Sequence, residues 1–200
     1  GFTISAPLLP GHGTHPKDLN RVSWRDWVDC GEKYLAELQK RCSRILVGGE
    51  SMGALVALHL AANHPEIDAV TVAAPALEVS GMNLASLIAP FKKWLVKPVK
   101  EDGLAWKGYN VYPLKGAVEF YKFQKVVKKT LQKITQPILM FTGGLDATIT
   151  PGCADLLLNH VSSKVKIHHK MQDSSHCIYL DKENEQVCKI TKAFYLENCA

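Results

Sequence analysis

The sequence predicts an α/β protein, a mostly parallel β-sheet with helices on both faces and an inserted helical segment. Three observations carry that expectation. Short apolar runs of strand length alternate with longer stretches whose apolar residues recur at helical spacing, the sign of a parallel sheet covered on both sides. The alternation breaks off after Gly81 and resumes after Gln136, which divides the chain into core 1–80, an insert 81–136 and core 137–200. A serine between glycines, Gly49-Glu50-Ser51-Met52-Gly53, stands directly after a strand-like run and directly before a helix-like one. A strand that turns sharply into a helix holds such a serine in a strained conformation and pushes its hydroxyl out above the sheet.

Each element has a local cause. Phe2, Ile4 and Ala6 alternate with Thr3 and Ser5 and are expected to form a strand, which Pro7, Pro10, Gly11 and Gly13 then end in a loop. Ser23, followed at the third helical position by Asp26, begins a helix whose face Trp24, Trp27, Val28, Gly31, Leu35 and Leu38 is apolar through about residue 40. Residues 44–47 read as a strand, 54–64 as a helix stopped by Pro65, and 67–73 as a buried strand. In the insert, Leu84, Leu87, Ile88, Phe91, Trp94 and Leu95 fit a helical stripe. Phe120, Phe123, Val127, Leu131 and Ile134 form a second one, and both stripes should be buried. Residues 138–142 and 165–169 supply two more strands, and a terminal helix carrying Val187, Ile190, Phe194 and Leu196 opens near Asp181.

Composition excludes several classes. With 46% hydrophobic and 22% charged residues in 200, the chain can build one sizeable core. Its longest apolar stretches fall short of the roughly 20 residues that cross a bilayer. The net charge of +5 is not gathered into an arginine-rich stripe with interleaved aromatics, so no nucleic-acid partner is expected. Six cysteines form no Cys-x-x-Cys pair, which suits free thiols in a reducing, cytoplasmic compartment. The histidines lack partners at ligand spacing, so neither a metal nor a cofactor is expected.

A serine hydroxyl is a poor nucleophile at neutral pH. It needs a base, and the base needs an acid to orient it and to stabilise its charged form. Two loops at strand ends offer such partners: Gly143-Gly144-Leu145-Asp146 and Asp173-Ser174-Ser175-His176. The order Ser51, Asp146, His176 matches one triad order and excludes the chymotrypsin and subtilisin orders. Asp146 has a competing role as the cap of the turn before Thr148, with Glu78 as the alternative acid. His176 competes with a plain surface-loop histidine, and the other seven histidines fit worse. His12 and His15 suit a structural place in a loop near the site, and Glu50 suits a local polar contact.

These residues resemble the α/β-hydrolase family, and within it carboxylesterases and monoacylglycerol lipases with a small helical cap. The resemblance rests on Pro10-Gly11-His12-Gly13, Gly49-Glu50-Ser51-Met52-Gly53, Gly144-Leu145-Asp146 and Ser175-His176 followed by Leu180-Asp181. It implies that Ser51, Asp146 and His176 form a catalytic triad, that the Met52 backbone N–H is one oxyanion donor, and that 81–136 is the cap. Ser175 stands where many relatives have glycine. The resemblance also implies that three strands and a helix precede Phe2 in the family, together with the second oxyanion donor. The chain is therefore expected to be N-terminally truncated, with a gap in its sheet between the segment at Phe2 and the strand near Arg44.

The expected activity is hydrolysis of short or medium acyl esters or monoacylglycerols through an acyl-enzyme, with a small-molecule ester as the partner. Amide or thioester hydrolysis or acyl transfer with the same triad is the alternative, and a non-catalytic binding protein of this fold is a second. Contact of residues 84–95, with Lys92, Lys93 and Lys97, with a membrane surface is a weaker one.

Overall fold

The structure, a computed structural model, describes residues 2–97, 104 and 108–198. In chain order its helices and strands are α1 (Pro16–Leu19), α2 (Trp24–Gln39), β1 (Leu46–Glu50), α3 (Met52–Asn63), β2 (Ala69–Ala73), α4 (Ala85–Ile88), β3 (Trp94–Val96), β4 (Val111–Pro113), α5 (Leu114–Thr130), β5 (Ile138–Gly143), α6 (Cys153–His160), β6 (Lys166–Met171) and α7 (Asn184–Asn198). β1, β2, β5 and β6 form a sheet in that order, every pair parallel. Parallel neighbours need a crossover, and α3 and α6 provide it for β1–β2 and β5–β6.

Side chains alternate across the sheet with period two and divide the core accordingly. Val70, Val72, Ile138 and Met140 face a large cluster built with α2, α3, α5 and α6. Ala69, Ala73, Leu139 and Phe141 face a smaller one closed by Val187 and Phe194 of α7. Burial matches position, since β2 is buried throughout whereas β6 alternates with solvent at the sheet edge. Helix α3 is buried on nearly every side, which explains its small and aliphatic composition. Asp26 starts α2 as the sequence predicts, accepting the Ser23 N–H at 2.6 Å and its hydroxyl at 2.8 Å. Trp27 and Phe123 are fully buried where α2 and α5 meet, and Trp24 stacks on Phe123 at 5.6 Å. Truncating either fully buried ring to alanine costs about 3–5 kcal/mol.

Two expectations are corrected. Phe2, Ile4 and Ala6 form no strand. A strand requires a ladder partner, and this segment is separated from β1 by a groove of about 320 Å³ lined by Ser5, Ala6 and Pro7 on one side and Val47 and Gly48 on the other. Among the described residues β1 is therefore paired on its β2 side alone. The first stripe of the insert is also not one helix. After the short turn Met82–Leu84, α4 ends at Ile88, just before Pro90, which has no N–H to continue a helix. Trp94–Val96 instead pairs antiparallel with Val111–Pro113. Nor is the stripe buried, because Leu84, Leu87 and Phe91 remain exposed. The second stripe falls on α5 and the turn after it, with Phe123, Val127, Leu131 and Ile134 in the main core beside α2 and α3.

Candidate active site

The site lies at the carboxyl ends of the strands, where loops leaving a parallel sheet converge. β1 ends at Glu50, and Ser51 follows with φ 55° and ψ −113°, a left-handed backbone that a non-glycine residue adopts only under strain of about 1–3 kcal/mol. Neighbouring chain holds it there. The Ser51 N–H donates to Ala73 O at 2.9 Å and the Ser51 carbonyl accepts Ala76 N–H at 3.3 Å. Glycine at 49 is a packing requirement, because a Cβ there would lie 2.7 Å from Ala54 N and closer still to the Gly53 carbonyl.

Asp146 and His176 come from β5 and β6, which lie two and three places from β1 in the sheet order. To reach Ser51, the loop after β6 must fold back over the end of β5. The glycine pair 143–144 permits this close approach: a Cβ on Gly143 would sit 2.6 Å from Ser174 O, and one on Gly144 2.9 Å from the Gln172 Cα. The Leu145 N–H then donates to Ser174 O at 3.0 Å. Two carboxylates hold the returning loop. Asp181 accepts both the N–H and the hydroxyl of Ser175, each at 2.7 Å, so the serine that replaces the expected glycine is itself a tether. Glu183 accepts the Asp173 N–H at 3.0 Å and the Ser174 hydroxyl at 2.6 Å. Burial raises the Asp181 carboxyl, but the Ser175 bonds outweigh it and its pKa is lowered.

The result is a continuous relay. His176 Nε2 lies 2.8 Å from Ser51 Oγ, and its Nδ1 lies 2.8 Å from Asp146 Oδ2. An ionised carboxylate can only accept, which makes Nδ1 the donor and leaves Nε2 to accept the Ser51 O–H. The two Asp146 oxygens do separate work: Oδ1 accepts the Thr148 N–H at 2.7 Å and the Ile149 N–H at 3.4 Å, while Oδ2 is left for the imidazole. The turn-capping role and the contact with His176 therefore coexist. Burial pushes the Asp146 carboxyl up, yet His176 and these two N–H groups hold it below the ordinary value. The alternative acid, Glu78, faces α5, with Lys128 Nζ at 3.0 Å and the Thr150 hydroxyl at 3.5 Å.

Residues 1–190 match the model of the alpha/beta hydrolase family. The chain belongs to the alpha/beta hydrolase family. It is 27% identical over 202 residues to a thermostable monoacylglycerol lipase of Bacillus sp. (strain H-257), covering 99% of this chain and 81% of that one. It is 26% identical over 194 residues to a carboxylesterase of Bacillus subtilis (strain 168), covering 94% of this chain and 78% of that one. Among solved structures it is similar to one described with two metagenome-derived lipolytic enzymes, with a TM-score of 0.90, 22% identity, and coverage of 96% of this chain and 80% of that one.

In this alpha/beta hydrolase Met52 is the first residue of α3, so its N–H is one of the helix-start donors that have no acceptor within the helix. It follows Ser51 directly. The Pro10–Gly13 loop has a structural explanation. Pro10 O accepts the Trp27 indole N–H at 3.1 Å, and Gly11 O accepts the Tyr109 hydroxyl at 2.7 Å. His12 packs edge-on against Trp27, and burial keeps its pKa low. Asp181 and Glu183 hold the loop that carries His176; the sequence marked Asp181 only as part of the family motif and the opening of the last helix, and Glu183 not at all. Each acts on a backbone group or a hydroxyl, a use that leaves no spacing signature. Among the described residues no group of three or more His, Cys, Asp or Glu side chains is arranged to hold a metal. No helix among them is long and apolar enough to cross a membrane.

Proposed function

We propose that this hydrolase cleaves carboxylic esters by a two-step acyl-enzyme mechanism. The observation that carries the proposal is the unbroken relay from Ser51 Oγ through His176 to Asp146, 2.8 Å at each step, headed by a strained serine. Ser51 Oγ attacks the ester carbonyl carbon while Nε2 takes its proton. Asp146, already hydrogen-bonded to Nδ1, stabilises the imidazolium, and the Met52 N–H binds the oxyanion. Collapse of the tetrahedral intermediate expels the alcohol, which receives the proton from Nε2. Water, deprotonated by the same nitrogen, then attacks the acyl carbonyl and releases the acid and Ser51.

The segment 81–136 is assigned as the cap. Val79, just before it, bridges to Ile149 beside the acid loop, so the insert springs from the rim of the site. Exposed Leu84, Leu87 and Phe91 offer an apolar wall to an acyl chain. With the monoacylglycerol lipase and carboxylesterase among the relatives, this favours short to medium acyl esters or monoacylglycerols as substrates. Six cysteines without paired spacing support a cytoplasmic location, tested by complete alkylation of the protein from unreduced cell extract.

The test is labelling by a fluorophosphonate probe together with turnover of p-nitrophenyl esters of graded acyl length and of matching aminoacyl amides. Labelling and ester turnover that both vanish in Ser51→Ala are expected. Faster amide than ester cleavage would replace the esterase assignment, and an unlabelled parent protein would remove the nucleophile.

A further inference from the structure

We propose that Glu50 is a positioning residue that locks the histidine loop to the nucleophile strand, so that His176 Nε2 stays on Ser51 Oγ. The inference rests on the triad proposed above and adds the device that holds it in register.

Glu50 is the last residue of β1 and is joined to Ser51 by a peptide bond. Its Oε1 accepts the Tyr179 N–H at 3.2 Å. This donor lies in the first turn of the 3₁₀ helix Ile178–Leu180, which starts two residues after His176. The first N–H groups of any helix lack an internal acceptor, and this turn receives no cap from its own preceding side chain, Cys177. Glu50 supplies the cap from the opposite wall of the site. A closed ring results, from Ser51 through Glu50 to Tyr179, back along the chain to His176, and through Nε2 to Ser51 Oγ.

The surroundings fit this role. Taking a carboxylate out of water is costly unless it is paired or hydrogen-bonded. Burial raises the Glu50 carboxyl, and the groups that favour its charged form are the Tyr179 N–H, the His176 ring and the Ile178 N–H, with no lysine or arginine among them. A bond from a backbone N–H to an ionised acceptor is also stronger than a neutral one. The other two tethers, Asp181 and Glu183, lie in the same C-terminal segment as the loop and can move with it. Glu50 ties the loop to the strand that carries the nucleophile.

Two conservative variants separate this role from its rivals. Glu50→Gln keeps an acceptor oxygen at the same reach and loses the charge. Glu50→Asp keeps the charge but is one methylene too short for the Tyr179 N–H. The expected result is a kcat within about threefold of the parent for Glu50→Gln, and for Glu50→Asp a kcat lower by about 10–100-fold with KM within about twofold, the scale of an ångström-level misplacement of the base. Amide hydrogen exchange over residues 177–180 should accelerate in Glu50→Asp and remain parental in Glu50→Gln. Glu50→Asp retaining as much kcat as Glu50→Gln, or unchanged exchange in Glu50→Asp, overturns the inference. The exchange readout is independent of chemistry. If the parent protein neither turns over esters nor takes the fluorophosphonate, the triad fails, and exchange in Glu50→Asp still decides whether Glu50 holds the turn.

Discussion

Gly143→Ala adds a single methyl group and should disable the site from a position that touches no substrate. The new Cβ would stand 2.6 Å from Ser174 O and nearer still to Ser175 O, both backbone atoms that cannot rotate away. Restoring an ordinary contact of about 3.4 Å requires the loop to retreat by about 1 Å. The residue after Ser175 is His176, whose Nε2 lies 2.8 Å from Ser51 Oγ. A comparable displacement takes that pair beyond hydrogen-bond reach. Misplacement on this scale costs about 100-fold in kcat, and the overpacking costs about 1–3 kcal/mol of stability. For a chain of this size that lowers the melting temperature by about 2–4 °C for each kcal/mol. Gly143 has an ordinary backbone conformation, so the effect is steric. Gly152→Ala is the control, because a Cβ there meets nothing within 4 Å. Steady-state ester hydrolysis and the rate of fluorophosphonate labelling measure the first effect, and thermal melts the second. A folded Gly143→Ala protein with kcat within threefold of Gly152→Ala would refute the reasoning.

Other outcomes follow from the same geometry. Ser51→Gly should melt above Ser51→Ala by the equivalent of about 1 kcal/mol, since glycine adopts the positive φ without strain; equal melting would show that the turn stores none. Asp146→Asn should lower kcat by about 10³–10⁴ with little change in KM, as the amide no longer fixes the tautomer or stabilises the imidazolium; a loss below tenfold would point to another acid. The Asp146 carboxyl titrates below its ordinary value when folded, so its stabilising contribution is complete above about pH 3.8 and is lost as pH falls through the lower folded value. The melting difference between the parent and Asp146→Asn should therefore shrink in strong acid. His59 packs against Trp24 and Phe123 with a buried Nδ1 that has no partner among the described residues, and burial lowers its pKa. The unfolded chain then binds a proton first, so stability is complete above about pH 6.5 and declines as pH falls from there toward the folded value. His59→Leu should flatten the melting profile between pH 7 and pH 5, leaving the parts due to His12 and His168, which titrate in the same direction, and to His64, whose raised pKa acts in the opposite one. An unchanged slope would exclude His59 as its source.

By itself the sequence determined the alternation that makes a covered parallel sheet, the elbow around Ser51, and the order in which serine, acid and histidine follow one another. These are local properties, written in hydrophobic period, in glycines that leave room for a turn, and in polar residues after strand ends. The tertiary structure decided what depends on partners distant in the chain. Whether Phe2–Ala6 became a strand depended on a neighbour across the groove beside β1, and whether 84–95 became one helix depended on Pro90 and on the pairing of Trp94–Val96 with Val111–Pro113. Glu50 looked like a bystander beside Ser51, because its partner, the Tyr179 N–H, is 129 residues away and any residue but proline could supply it. A side chain's chemistry can be read from the sequence, but the backbone groups it meets are set by the strand order and by the approach of one loop to another.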